Sequence, residues 1–238
     1  MKLPRLFGRA RARAITPDKA TRRDALPAPQ PIDSTPLKKA RLVVLDLETS
    51  GLDLQRDEIL SVGAVAIEGG ILRMADQYEC TLARPGHRAS QATLLHEISP
   101  SEVQAGRPPD EALLELMEFA GACVFLAFHA GFDQRMLSRA LQEDLGYRLR
   151  HRFLDVAELA PMLFPDAAPR CSTLDDWQQY FQLANSQRHN AAADAQATAE
   201  ILLILLARAT RQGTCTLAEL NNRLALWRQL NQVRSSGF

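Results

Sequence analysis

Downstream of residue 40, apolar residues fall into three short runs separated by glycine and acidic residues. LVVLDLE (42–48) and Glu58–Ile67 predict strands, because both runs are short, aliphatic and bounded by turn-forming residues. Glu68–Gly70 predicts a hairpin turn into a third strand, Ile71–Leu82, because glycine accepts the positive φ that such turns need. Three consecutive strands joined by short turns predict an antiparallel meander.

Beyond residue 100 the pattern changes to an alternation of helical and extended segments. Apolar residues spaced by three or four predict helices over Pro109–Ala120, Phe132–Leu145, Val156–Leu163, Leu174–Phe181 and Asn190–Thr210. Short apolar runs predict strands over Val124–Phe128 and Phe153–Val156. This alternation predicts parallel strands added to the meander. The predicted fold class is therefore α/β, with one mixed sheet flanked by helices.

Residues 213–238 predict one extra helix at the C-terminus, after Gly213 has ended the preceding one. The helix begins at Thr216, where Glu219 completes a capping box. An apolar stripe at helical spacing runs along it: Leu217, Leu220, Leu224, Trp227, Leu230 and Val233. Such a stripe either packs on its own domain or docks a protein partner, and both interpretations stay open.

Residues 1–40 differ from the rest of the chain in charge and in proline content. They hold ten Lys or Arg against three Asp, a charge of +7, so residues 41–238 carry −7 at a net charge of zero. Six prolines and no apolar periodicity predict a flexible extension ahead of a domain at 41–212. The extension is either an arm that binds a polyanion or a protein partner, or a solvated leader.

Cysteine spacing and hydropathy exclude several classes of protein. The four cysteines lie more than forty residues apart with no Cys-x-x-Cys pair, which argues against structural zinc and favours a reduced, cytoplasmic protein. The longest apolar runs, Ala122–Phe128 and Ile201–Ala207, have seven residues each, too few to span a bilayer. We therefore expect no membrane partner, and no secretory signal is recognisable.

Two acidic residues interrupt the end of the first predicted strand. Asp46 and Glu48 are two positions apart, so they project from the same face, while Leu45 and Leu47 point into the core. Two carboxylates on one face repel each other, and a cation between them removes the repulsion. The alternative interpretation is a strand that runs out into a polar turn.

Three further residues complete a candidate site. Asp133 follows the strand VFLAF where a helix begins, so it is either a metal ligand or a helix N-cap. Asp194 lies in the first turns of the long helix, and His189 is five residues earlier. On a continuous helix the two side chains would lie about 140° apart, so we expect His189 in the preceding loop. There it would serve as the base that deprotonates a water molecule.

Together these residues predict metal-dependent hydrolysis of a phosphodiester. Asp46, Glu48, Asp133 and Asp194 are expected to hold two Mg²⁺ or Mn²⁺ ions, beside His189 as the base. Ligand sets made only of oxygen favour these ions over Zn²⁺.

Residues 41–210 resemble the DnaQ-like 3′–5′ exonucleases of the histidine type, the family of the epsilon subunit of DNA polymerase III. DLETSG, AFHAGFDQRML and HNAAADAQATAEILL are similar to its three motifs, and LHEIS (Leu95–Ser99) to a further segment. The resemblance implies an RNase H-like fold, four acidic ligands and release of 5′-mononucleotides. It also implies that Thr49, Ser50 and Gly51 contact the terminal nucleotide, with His96 and Ile98 nearby.

One motif departs from the family pattern. Its usual form is His-Asn-Ala-x-Phe-Asp, but Phe128 and His129 occupy the His-Asn positions here. Asp133 is unaffected, whereas the placement of that loop or of the terminal nucleotide is in question.

Three hypotheses follow for the function. The first is an exonuclease acting on the 3′ ends of single-stranded DNA in proofreading or repair, with or without a polymerase partner. The second is a 3′–5′ exoribonuclease of the oligoribonuclease type. The third is a non-catalytic module that binds nucleic-acid ends or a partner protein.

Overall fold

A computed structural model describes residues 15–87, 98–183 and 190–236 of the chain. Five strands form one sheet in the order β3-β2-β1-β4-β5. They are β1 Leu42–Thr49, β2 Ile59–Glu68, β3 Ile71–Thr81, β4 Val124–Ala127 and β5 Phe153–Asp155. β1–β2 and β2–β3 pair antiparallel, and β1–β4 and β4–β5 pair parallel. The predicted mixed sheet, an antiparallel meander extended by parallel strands, is confirmed.

Eight α-helices lie within the described ranges. They are α1 Pro17–Asp24, α2 Pro100–Ala105, α3 Pro109–Ala120, α4 Ala130–Asp144, α5 Val156–Leu163, α6 Leu174–Phe181, α7 Ala191–Arg211 and α8 Leu217–Ser236. Five had been predicted between residues 109 and 210, and they agree to within two residues at each end. The short helices α1 and α2 were not predicted, although the Ser99–Glu102 capping box marks the start of α2.

The sheet separates two apolar layers. Alternate residues of β1 face opposite sides, as the two-residue period of a strand requires. Leu42 and Val44 pack in the layer that contains α5–α8. Val43, Leu45 and Leu47 pack in the layer that contains α3 and α4. The even-numbered side of β1, which carries Asp46 and Glu48, therefore faces the α7 side of the sheet.

The β2–β3 hairpin turns within the predicted Glu68–Gly70 segment, with Glu68 still part of the strand. β2 ends at Glu68 and β3 begins at Ile71. Gly69 and Gly70 lie between them with φ of 63° and 74°, where a side chain would be strained. The turn fixes the register between β2 and β3, in which Gly63 lies opposite Glu79.

The expectation that residues 1–40 form a flexible extension is wrong for residues 15–40; residues 1–14 lie outside the described ranges. Helix α1 buries no residue of its own and meets α3 through ion pairs, while Ile15 and Leu26 on either side of it pack against the α3–α4 layer. Lys19 Nζ lies 2.6 Å from Asp110 Oδ2, and Arg22 bridges Glu111 and Glu118 at 2.6 and 2.8 Å. Proline content and charge indicated a solvated arm, but the acidic face of α3 pairs with these basic side chains.

The same N-terminal segment continues to the start of the last helix. Leu37 is buried, and its N–H donates to the Cys215 carbonyl at 2.8 Å. The N–H groups of Leu217 and Ala218 donate in return to the carbonyls of Thr35 and Asp33. The two terminal segments therefore stabilise each other on the body of the domain.

Helix α8 packs with only part of its apolar stripe. Leu217, Leu220 and Leu224 are buried against the α7 layer, and Trp227 is half-buried there. Three side chains farther along are exposed: Leu226, Leu230 and Val233. The predicted packing therefore holds for the first half of the helix. No helix in the described ranges combines the length and the apolar character needed to cross a membrane.

Candidate active site

The acidic end of β1 lies on the α7 side of the sheet. Asp46 is half-buried and pairs across the sheet with Gly63, and Glu48 is buried and pairs with Ser61. The register between β1 and β2 shifts after Glu48: Glu48 pairs with Ser61 and Thr49 with Ile59, so Leu60 of β2 is the extra residue. Bulges re-aim side chains at the ends of strands, and they are frequent beside active sites.

Helix α7 brings the third acid to this place. The half of α7 near β1 and β2 carries small residues, of which Ala191, Ala195 and Ala199 are buried. These short side chains let the helix axis approach the sheet closely. Carboxylate oxygens of Asp46, Glu48 and Asp194 consequently lie within 4.8 Å of one another.

Asp133 lies beside this group but is not one of the three. It belongs to the first turn of α4 and is buried. Burial raises the pKa of its carboxyl group well above the usual range, and the charges of Asp155 and Glu48 raise it further. Hydrogen bonds from its own backbone and from Leu47 act in the opposite direction. Asp133 therefore faces the end of β1, next to Glu48, and it is not the N-cap of its helix.

The residue before α4 explains how the altered second motif still folds. His129 occupies the N-cap position with φ 66° and ψ 46°, the left-handed region that Asn and His enter more readily than most residues. Its N–H donates to Asp155 Oδ1 at 3.0 Å. The same oxygen accepts the N–H of Ala157 at 2.9 Å and so caps α5. Asp155 thus fixes the backbone that leads into Asp133, with Phe128 half-buried against the α7 layer.

The geometry suits divalent cations. Three carboxylates with oxygens within 4.8 Å of one another, and a fourth next to them, repel one another unless a cation or a proton intervenes. Their donors are all oxygen, the ligand type of Mg²⁺ and Mn²⁺. The residues present therefore fit the metal ions that the sequence predicted.

The predicted substrate residues form a structured loop after β1. Thr49 Oγ1 donates to the Gly51 carbonyl at 2.7 Å, and Ser50 Oγ donates to Asp57 Oδ1 at 2.8 Å. A side chain at Gly51 would lie 2.4 Å from Asp57 Oδ2, so the loop closes tightly there. Ile98 is half-buried just before α2.

The structure does not test the predicted base or one of the predicted substrate residues. His189 and His96 both fall outside the described residues. The described residues resume at Asn190, directly after His189, and Asn190 is the N-cap residue of α7.

Sequence reasoning missed three residues that shape the site: Gly63, Asp57 and Asp155. A glycine inside an apolar strand is itself a signal, because it often marks close approach of another backbone. Asp155 also had a signal in the sequence. It stands at the end of an apolar strand, a position similar to that of Asp133 after the preceding strand. Asp57 has no local signal, because its role depends on the path of the loop.

A family model of exonucleases, RNase_T, matches residues 43–202. This chain belongs to that exonuclease family. The match spans the five strands and the first half of α7, so it includes all four predicted acids. The DnaQ-like family predicted from the motifs is confirmed, and the exonuclease is a metal-dependent hydrolase.

Curated relatives of this exonuclease include PolC-type DNA polymerases III. The protein of Thermotoga maritima is 31% identical over 189 residues, which cover 79% of this chain and 13% of that protein. The protein of Bacillus subtilis is 29% identical over 191 residues, with the same two coverages. The chain therefore spans about an eighth of the length of these relatives.

Solved structures agree in fold. Escherichia coli exonuclease I bound to a dT13 oligonucleotide has a TM-score of 0.61 at 16% identity, over 73% of this exonuclease and 42% of that chain. Cell-death related nuclease 4 has a TM-score of 0.62 at 13% identity, over 75% and 67%. The RNase H-like architecture is thus confirmed.

Proposed function

We propose that this chain is a two-metal 3′–5′ exonuclease that removes 5′-mononucleotides from the 3′ ends of single-stranded DNA. One observation carries the proposal: Asp46, Glu48 and Asp194 meet within 4.8 Å, and the buried Asp133 lies next to Glu48. A family exonuclease with this arrangement has the ligands for the metal ions that would act on a phosphodiester substrate.

Each residue has a role in this proposal. Asp46, Glu48, Asp133 and Asp194 would hold two Mg²⁺ or Mn²⁺ ions, which supply positive charge to the phosphate oxygens when bound. His189 accepts the proton of the attacking water, from the loop before α7. Thr49, Ser50 and Gly51 contact the terminal nucleotide, with His96 and Ile98 beside it. The ordered Asp57 hydrogen bonds support the first three, because they hold that loop in one shape.

Single-stranded DNA is the preferred substrate in the proposal. Exonuclease I structures with dT13 and dA16 oligonucleotides share the fold, and the curated relatives are DNA polymerases. The proposal includes a proofreading or repair role and a polymerase partner, and it is supported by the fact that those relatives are DNA polymerases. The exposed row Leu226, Leu230 and Val233 on α8 is the surface whose substitution would test that partner.

The deciding experiment is a time course on 3′-end substrates. Single-stranded DNA and RNA of one sequence, labelled at the 5′ end, are incubated with purified protein in Mg²⁺, Mn²⁺ or a chelator. We expect stepwise shortening of the DNA, faster than of the RNA, none with the chelator and none with Asp46→Asn. Faster degradation of RNA would replace the DNA assignment by an exoribonuclease. If nothing shortens with either metal, the chain is a binding module instead.

A further inference from the structure

Three residues on adjacent strands lie directly opposite one another beneath the start of α7. Gly63 on β2 pairs with Asp46 on β1 on one side and with Glu79 on β3 on the other. Asp46 is one of the three clustered acids, and Asp194 is in the first turn of α7. This row of Asp46, Gly63 and Glu79 therefore connects the site to the surface on which α7 rests.

Gly63 has no room for a side chain. A Cβ added there would lie 2.1 Å from the carbonyl carbon of Ala191, 2.2 Å from its oxygen and 2.3 Å from the nitrogen of Ala192. All three are backbone atoms, so no rotamer change relieves the overlap. Ordinary contact begins at 3.4 Å, so the helix would have to move by roughly 1 Å. A misplacement of that size in a catalytic group can reduce activity about 100-fold.

Asn190 attaches the first turn of α7 to Glu79, at the β3 end of the row. Its Oδ1 accepts the N–H of Ala193 at 2.9 Å and caps α7. Its Nδ2 donates to Glu79 Oε1 at 3.0 Å. Both ends of one amide are thus used, one for the helix and one for β3. The contact also fixes the backbone immediately after His189.

We propose that Gly63, Glu79 and Asn190 form a helix seat that positions Asp194 for metal binding. All three are positioning residues, since they act through Asp194 rather than by touching metal or substrate. Gly63 sets how closely α7 approaches β1, and the Asn190–Glu79 hydrogen bond holds its first turn over the row. The inference rests on the proposed function, because that proposal makes Asp194 a metal ligand.

The first test is the affinity for Mn²⁺, measured by calorimetry without nucleic acid. Gly63→Ala is expected to weaken binding about 10-fold or more, the range found for groups that orient metal ligands. The matched control is Ala66→Gly, which also changes one methyl group in buried β2 but on the opposite, α3–α4 side. The control should lose some thermal stability and keep the affinity of the wild type.

A double-mutant cycle separates positioning from general destabilisation. If Gly63→Ala acts through Asp194, it should weaken Mn²⁺ binding less than about two-fold in an Asp194→Asn background. An equal loss in both backgrounds would overturn the proposal, as would wild-type affinity in Gly63→Ala.

Glu79 offers a second test, which remains decisive even if Gly63→Ala fails to fold. Glu79→Gln and Glu79→Ala both remove the negative charge, but only Gln keeps an oxygen that can accept from Asn190. We expect Glu79→Ala to bind Mn²⁺ several-fold more weakly than Glu79→Gln, with a matching loss in kcat. Equal affinities would refute the role of this contact.

These measurements also distinguish the seat from the proposed activity. A wild type that binds Mn²⁺ but shortens no DNA or RNA would contradict the exonuclease, and the affinities of the variants would still decide the seat. A wild type without measurable Mn²⁺ binding would overturn both.

Discussion

Acidic residues gather in two places in this fold, with opposite surroundings. On α3, Asp110, Glu111 and Glu118 each meet Lys19 or Arg22 of α1 at 2.6 to 3.3 Å. On the opposite face of the sheet, three acids meet one another within 4.8 Å, with a fourth beside them. The first group is neutralised by the chain's own cations, so it holds a segment in place. The second has the all-oxygen donor set of a divalent-metal site.

The acidic residues of α3 show what two of the basic side chains near the N-terminus bind. The N-terminal basic charge indicated an arm for polyanions, but Lys19 and Arg22 are engaged by the acidic face of α3. Paired charges of this kind attach a helix that buries no residue of its own. The acids of the candidate metal site instead lie close to one another, where like charges repel unless a cation or a proton lies between them.

The largest expected difference between the two groups is in activity. Asp194→Asn should lower the rate of DNA hydrolysis about 10³-fold or more, because metal charge supplies several kcal/mol to the transition state. Glu111→Gln removes a negative charge of the same type from α3 and should leave the rate unchanged. Single-turnover rates in Mg²⁺ measure both. A comparable loss in Glu111→Gln would mean that the two groups are coupled.

Divalent cations should stabilise the fold through one group only. At a Mn²⁺ concentration about 100 times Kd, the free energy of unfolding should rise by about 2.7 kcal/mol. Denaturant titrations with Mn²⁺ and with chelator give the difference. Asp46→Asn combined with Asp194→Asn should abolish it, and Glu111→Gln should preserve it. Stabilisation that survives the first double variant would place the cation elsewhere.

The pKa of Asp133 predicts a pH effect in metal-free protein. Its folded-state pKa is raised, so folding retains a proton that the unfolded chain has already released, and stability falls as pH rises through that window. Asp133→Asn should remove this dependence and stabilise the chelated protein at pH 8 by about 1 to 3 kcal/mol. Melts at several pH values compare the two proteins. A destabilised variant at pH 8 would show that the carboxylate is compensated without metal.

The smallest expected effect concerns the ion pairs between α1 and α3. Arg22→Ala breaks contacts with Glu111 and Glu118 on a partly exposed surface. It should cost about 1 kcal/mol of stability, and less in high salt, because such pairs are weak and screened. Activity should stay within about two-fold. A loss beyond about 3 kcal/mol would make α1 part of the cooperative core.

Much of the fold was predictable because its signals are local. The meander follows from three apolar runs and from the two glycines at positive φ, and the later helices follow from apolar spacing. The acids of β1 could be assigned to one face because the period of a strand is two. Residues 15–40 were mispredicted because their contacts are not local. Ion pairs between α1 and α3 join positions about ninety apart in the sequence, and no local pattern indicates them.

The sequence by itself determined which residues are candidates for the chemistry, since Asp46, Glu48, Asp133 and Asp194 stand at recognisable ends of strands and helices. Only the tertiary structure decided how these acids divide, with oxygens of three within 4.8 Å of one another and Asp133 buried next to them. The physical reason is distance along the chain. Asp194 reaches β1 because α7 rests on Gly63, and a close contact between two backbones leaves no periodic trace in either segment.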